Sequence, residues 1–152
     1  MSAVHPRIVS VVVDATDARR LGEFYRELLG YEYRLGSEPP SAGESDVAGQ
    51  DWLVLRDPER FFHVCIQQVR QIQPSTWPEP DVPQQLHLDM EVATVAELDG
   101  QRARVLALGG RILHARTADS DEPLYVFADP DGHPFCVFVS PPRAHDDPSA
   151  AD

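Results

Sequence analysis

An apolar strand that runs into an Asp-Pro turn occurs twice in this chain. Residues 51–58 read Asp-Trp-Leu-Val-Leu-Arg-Asp-Pro and residues 123–130 read Pro-Leu-Tyr-Val-Phe-Ala-Asp-Pro. Asp caps local amides and Pro fixes φ, so each pair starts a turn. A second apolar strand follows each turn, Phe61 to Val69 and Pro134 to Val139, which makes two β-hairpins. The same order precedes both hairpins. Ile8 to Val13 reads as a β-branched strand, then Asp17 as an N-cap, then Leu21, Phe24, Tyr25, Leu28 and Leu29 at helical spacing, with Gly30 as the stop. In the second half Leu86 to Val92 reads as a strand and Thr94 as an N-cap. Leu98, Val105, Leu106 and Leu108 mark a helix, ended by Gly109 and Gly110 and weakened by Gly100 inside it. Short strands follow each helix, Tyr31 to Leu35 and Arg111 to Ala115.

A repeat of this length constrains the fold more than composition does. Each half is β, α, β, β, β, so the expected class is α+β: two βαβββ modules in one domain, about 7–69 and 85–140. The Pro-rich stretch 70–84 reads as their linker. Residues 36–50, rich in Ser, Gly, Pro and acid, read as a mobile loop, and 141–152 as a disordered tail.

The charge excludes one class of partner. The chain carries 25 acidic residues against 13 basic ones, a net −12, and all 13 cations are Arg. Nucleic-acid binding needs clustered cations and is not expected. No apolar run approaches the roughly 20 residues of a membrane span, and Met1 to Arg7 lacks the pattern of a signal peptide. Two Cys are too few for a disulfide framework, so a cytoplasmic location with both thiols reduced is expected. Abundant Arg, Ala and Pro with no Lys hint at a GC-rich bacterial genome.

Phe24-Tyr25, then Leu28-Leu29-Gly30, then Asp129-Pro130-Asp131-Gly132-His133-Pro134-Phe135 resemble the vicinal oxygen chelate superfamily. That superfamily includes glyoxalase I, bleomycin-resistance proteins and extradiol dioxygenases. The stretch from Thr76-Trp77-Pro78 to Leu88-Asp89 resembles a metal-poor, glyoxalase-like branch widespread in bacteria. The resemblance covers about residues 7 to 140. It implies paired modules around a U-shaped, partly open cleft of mixed sheet, helices outside, often with a divalent metal within. It also implies that members often form homodimers.

Strand alternation assigns faces independently of any family. Val9, Val11 and Val13 belong to the helix side, with Ser10, Val12 and Asp14 opposite. Phe62, Val64 and Ile66 pack, leaving His63, Cys65 and Gln67. Leu88, Met90 and Val92 pack, leaving His87, Asp89 and Glu91. Phe135, Val137 and Val139 pack, leaving Cys136 and Phe138. The expected ligand-binding residues are therefore Ser10, His63, Cys65, Gln67, Trp77, His87, Asp89 and Cys136, with Trp77 either a lid or the anchor of its loop. Asp89 and Glu91 are either a general-base pair or a solvated edge. His133 reads as a turn residue, and His114 is assigned to neither face.

The resemblance implies metal ligands at Ser10, at Cys65 or Gln67, at His87 and at Cys136. Ser10, Cys65 and Cys136 are not of the usual His, Gln or Glu type, and this set does not suit a hard cation. No cofactor is expected, the alternative being zinc held by His87, Cys65 and Cys136 with an open fourth position. Three functions follow. The first is a metal-independent small-molecule binder similar to bleomycin-resistance proteins. The second is a metal-dependent lyase, isomerase or dioxygenase, and the third a dimeric interaction module. Whether the chain is an enzyme stays open at this point.

Overall fold

The computed structural model describes residues 5–119 and 121–140. The expected tail, 141–152, lies outside the described residues. The chain divides between Gln73 and Pro74 into two compact units. Among the described residues no helix is long and apolar enough to cross a membrane.

The first unit contains β1 (Ser10–Ala15), α1 (Ala18–Leu29), β2 (Glu32–Tyr33), β3 (Trp52–Arg56) and β4 (His63–Gln68). The second contains β5 (Leu88–Val92), α2 (Val95–Ala107), β6 (Arg111–Arg116), β7 (Leu124–Ala128) and β8 (Pro134–Val139). Each unit is a four-stranded mixed sheet with the same topology, β1-β4-β3-β2 and β5-β8-β7-β6. In each, the first strand pairs parallel with the last and the other neighbours are antiparallel. A parallel neighbour requires a long crossover, and the helix lies on it. Two α+β modules of one design are thus present.

Several boundaries differ from expectation. The first strand begins at Ser10 instead of Ile8, which is 81% exposed and has nothing to pack against. The fifth begins at Leu88, leaving Leu86 exposed, because Gln85 turns the backbone with φ of 32°. The second is only Glu32–Tyr33, and the fourth runs His63–Gln68.

Both helices form where their ends are satisfied. Asp17 accepts from Arg20 N at 3.0 Å, and Gly30 closes α1 in the left-handed region at φ 70°. Thr94 and Glu97 form a reciprocal capping box on α2. Leu21, Phe24, Tyr25 and Leu28 of α1 are buried against β1, β3 and β4. Burial of each contributes about 2 kcal/mol. Leu98 and Val105 do the same for α2, over Phe127, Phe135 and Val137.

The loop 36–50, expected to be mobile, is fastened to α1. Arg19 Nε donates to Asp46 Oδ2 at 2.7 Å, and its guanidinium also donates to the carbonyls of Ser37 and Glu38. Ser37 is buried, its Oγ accepting from Val54 N, and Ala48–Gln50 forms a turn of 3-10 helix. Part of the expected linker is also engaged. A Cβ on Gly132 would lie 2.6 Å from Pro74 Cβ, so residues from Pro74 onward pack on the second unit's own turn.

The Asp-Pro turns differ in depth. Asp129 is fully buried, and its Oδ1 accepts from the amides of Asp131, Gly132 and His133 while Oδ2 lies 2.8 Å from His133 Nδ1. Asp57 accepts from the exposed amides of Glu59 and Arg60 and from the Tyr31 hydroxyl. Asp129→Ala leaves those donors buried and should cost about 3 kcal/mol, whereas Asp57→Ala should cost under about 1 kcal/mol; urea unfolding of both checks the difference. The Arg19 guanidinium holds the Asp46 carboxyl below its ordinary range. That stabilisation is present above the unfolded carboxyl's pKa of about 4 and is lost as pH falls through the lower folded value. Asp46→Asn should flatten this part of the acid limb, measured as unfolding midpoint against pH.

Candidate functional site

Each sheet has one helix, so each has one face turned away from its helix. Registers define that face strand by strand, because directly opposed residues share a side. In the second unit one row reads Asp89, Cys136, Val126, His114, and the next reads Glu91, Phe138, Leu124, Arg116. The floor of Cys136, Phe138, Val126 and Leu124 is half-buried, flanked by exposed Asp89 and Glu91 on β5 and exposed His114 and Arg116 on β6.

His114 reaches this face through an irregularity. Ile112 opposes Phe127 on the helix side, the register shifts, and His114 opposes Val126. Without the bulge, residues two apart would share a face, and His114 would follow Ile112. Sequence alternation therefore had no means of placing His114.

Trp77 stands at the same edge, its ring edge-on to His114 at 6.3 Å. Its loop is closed by Thr76, which donates through its backbone N to Val82 O at 3.0 Å and accepts Val82 N on Oγ1 at 2.9 Å. Trp77 N donates to Ser75 Oγ. His87 is exposed just before β5, with Nε2 3.4 Å from Asp89 Oδ1. Burial, helped by Asp89 and Glu122 and opposed by Arg116, pushes the Cys136 thiol up to about 11. This thiol is protonated at neutral pH and is not a nucleophile.

In the first unit the corresponding rows are Ser10, His63, Arg56, Glu32; then Val12, Cys65, Val54; then Asp14, Gln67, Trp52. Cys65 opposes Val54 and Cys136 opposes Val126, so the two thiols hold equivalent places in their sheets. Cys65 is buried, and burial raises its thiol against the opposing effects of a Ser10 hydrogen bond and of Arg34. The buried Nδ1 of His63 has no hydrogen-bond partner among the described residues. Gln67 is exposed on this face. Its neighbour Gln68 points to the other face, accepting Ala18 N at 2.8 Å and donating to Thr16 O, which ties β4 to the start of α1. Sequence reading chose Gln67 and passed over Gln68, since either amide is equally polar in one dimension. Beside that junction lies an open recess of about 360 Å³, lined by Thr16, Asp17, Arg19, Asp46, Gln50 and Gln68 among others. Its only cation, Arg19, is committed to Asp46.

A family model described as a glyoxalase-like domain matches residues 10–138. The chain belongs to the glyoxalase-like domain family. Solved structures with the same fold include a glyoxalase/dioxygenase from Nostoc punctiforme, 18% identical, with a TM-score of 0.65, covering 93% of this chain and 99% of that one. A fosfomycin resistance protein from Mesorhizobium loti is 14% identical with a TM-score of 0.61, covering 91% and 94%. A glyoxalase/bleomycin resistance protein/dioxygenase family enzyme from Burkholderia phytofirmans is 12% identical with a TM-score of 0.62, covering 86% and 96%. At these identities the likeness is one of fold. No curated protein matches the chain.

The superfamily's divalent metal meets a poor donor set here. Ser10 offers a neutral hydroxyl, and Cys65 and Cys136 offer thiols whose pKa values burial raises. The ordinary ligand types are His87, which lies against Asp89, and the exposed Gln67, the alternative to Cys65. Among the described residues no three His, Cys, Asp or Glu side chains are grouped as a metal ion requires. These residues do not fit a hard divalent cation, which prefers carboxylate oxygen and imidazole.

Alkylation reports the thiol assignment. In Cys65→Ser, iodoacetamide should modify Cys136 far more slowly than a free thiol at neutral pH, the rate rising towards pH 11. Asp89→Asn should shift that profile to lower pH.

Proposed function

We propose that this glyoxalase-like chain binds a planar organic small molecule by stacking and a few hydrogen bonds, without the divalent ion of its metal-dependent relatives. One observation carries the reading: the positions that the resemblance marks for metal ligands hold Ser10, Cys65 or Gln67, and Cys136 beside His87, and burial raises both thiols. Each sheet is taken by itself: on the helix-averse face of the first, the candidate contacts are Ser10, His63, Cys65 and Gln67. On the second they fall to Trp77, His87, Asp89 and Cys136. Small-molecule sites combine an apolar floor with a few polar groups, and the second sheet's face has that composition. A solved structure of the same fold named as a glyoxalase/bleomycin resistance protein, from Albidiferax ferrireducens, accords with a binding role. Fold alone does not decide the matter, since chemistry belongs to the site. Two reduced thiols agree with a cytoplasmic protein. Exposed Ile8 and Val9 just before β1 and exposed Val12 on it, an edge strand of its sheet, support self-association into a homodimer.

Metal analysis of protein purified without chelators tests the reading directly. No stoichiometric metal is expected. A tightly held equivalent of zinc, released by Cys65→Ser or Cys136→Ser, overturns it in favour of a metal-dependent enzyme. A thermal-shift screen of planar organic compounds should find ligands that raise the unfolding midpoint. At a hundredfold excess over Kd the gain is about 2.7 kcal/mol. His87→Ala should reduce that shift while changing the unliganded stability by less than about 0.5 kcal/mol.

A further inference from the structure

The helix-averse face of the second sheet is unequal from edge to edge. Its β5 side carries Asp89 and Glu91, both exposed, and Glu91 has no hydrogen bond or ion pair among the described residues. Its floor is apolar: Cys136, Phe138, Val126 and Leu124. Its β6 side ends in His114 and the edge-on Trp77 ring, held by the loop that Thr76 closes.

The arginines on this face are spoken for or remote, and His87, with Nε2 3.4 Å from Asp89 Oδ1, is a cation only when protonated. Arg116 is engaged by Glu122 at 2.5 Å and by Asp119 at 3.4 Å. Arg111 opposes Ala128, one corner of the face, while Glu91 sits on the far strand beyond Asp89. Three strand spacings alone separate β6 from β5 by about 14 Å, beyond a Debye length of about 8 Å at physiological salt. Arg111 therefore does little to cancel the charge at β5. Burial does most to raise the Cys136 thiol, and Asp89 and Glu122 add to it against the opposing influence of Arg116.

We propose that this face selects a planar organic cation, its rings on the Cys136–Phe138–Val126 floor against Trp77, its positive charge towards Asp89 and Glu91. This rests on the small-molecule reading above and adds the ligand's charge class. A flat aromatic cation satisfies all three features at once. The floor takes the apolar area, the indole edge and face take the π-system, and the carboxylates take the charge. A neutral ligand gains nothing from the carboxylates and must desolvate part of them, while an anion is repelled.

Two acridines separate the possibilities. Proflavine is cationic at mildly alkaline pH, where acridine is neutral and of similar shape. Trp52→Phe leaves Trp77 as the single tryptophan, so quenching of its fluorescence locates the dye on this face. Proflavine should quench Trp77 at lower concentration than acridine, by about tenfold, and less well as ionic strength rises. Asp89→Asn with Glu91→Gln should erase that tenfold preference and its dependence on ionic strength. These substitutions lie on exposed side chains, and circular dichroism confirms an intact fold. Equal affinity for the two dyes, or a preference that survives the double substitution, overturns the cation assignment and leaves the small-molecule reading intact. Quenching by neither dye also overturns it, and the thermal-shift screen then judges the small-molecule reading separately. Loss of proflavine binding as protein concentration rises, with dimer appearing in sedimentation, assigns the face to a second copy of the chain instead.

Discussion

One helix can cover only one face of a four-stranded sheet, and each unit has one helix. Leu21, Phe24, Tyr25 and Leu28 commit α1 to the side of β1, β3 and β4 that bears Val13, Leu53, Leu55, Val64 and Ile66. Because the side-chain period of a strand is two, the alternate residues of those strands are then sent to the opposite face. The same commitment in the second unit, through Leu98 and Val105, sends Asp89, Cys136 and Phe138 there. Everything functional proposed for this chain sits on the residues that remain once helix packing has chosen its side.

The parallel pairing of first and last strand depends on how the intervening segments are tied down. In the first unit a single cation, Arg19, gathers Asp46 and the carbonyls of Ser37 and Glu38, and Gln68 joins the end of β4 to the first turn of α1. In the second unit a single anion, Asp129, gathers three turn amides and His133 without solvent. The two modules share a design and reach it by opposite chemistry. The hairpins also differ in length. Arg56 pairs with His63 across the first turn, and Ala128 with Pro134 across the second, so the first turn is one residue longer. The longer turn is open and its Asp57 exposed to water on one side; the shorter one closes tightly on a buried carboxylate.

Most of the fold was legible in the chain because its signals are local. Asp17, Gly30 and Thr94 cap helices by bonds that span a few residues, and the Asp-Pro turns act within four. Strand starts were less legible. Ile8 and Leu86 are as β-prone as their neighbours; Ile8 stays outside β1 because it has nothing to pack on, and Leu86 outside β5 because Gln85 turns the backbone before it. Two residues that matter to the faces escaped notice for the same reason. Glu122 acts on Cys136 from the segment before β7, and Arg19 recruits a loop 27 residues away. No periodicity announces either contact.

By itself, then, the amino-acid order determined two βαβββ units, their helix ends, and the alternation that puts His63, Cys65 and Gln67 opposite Val64 and Ile66. These follow from short-range sterics, capping bonds and a period of two. Tertiary structure decided the rest: that a bulge after Ile112 turns His114 towards Cys136 and Trp77, that Gln68 and not Gln67 secures α1, and that 36–50 is held down. Each of those depends on a register or a long-range pairing, and a single strand carries no record of which neighbour it will meet.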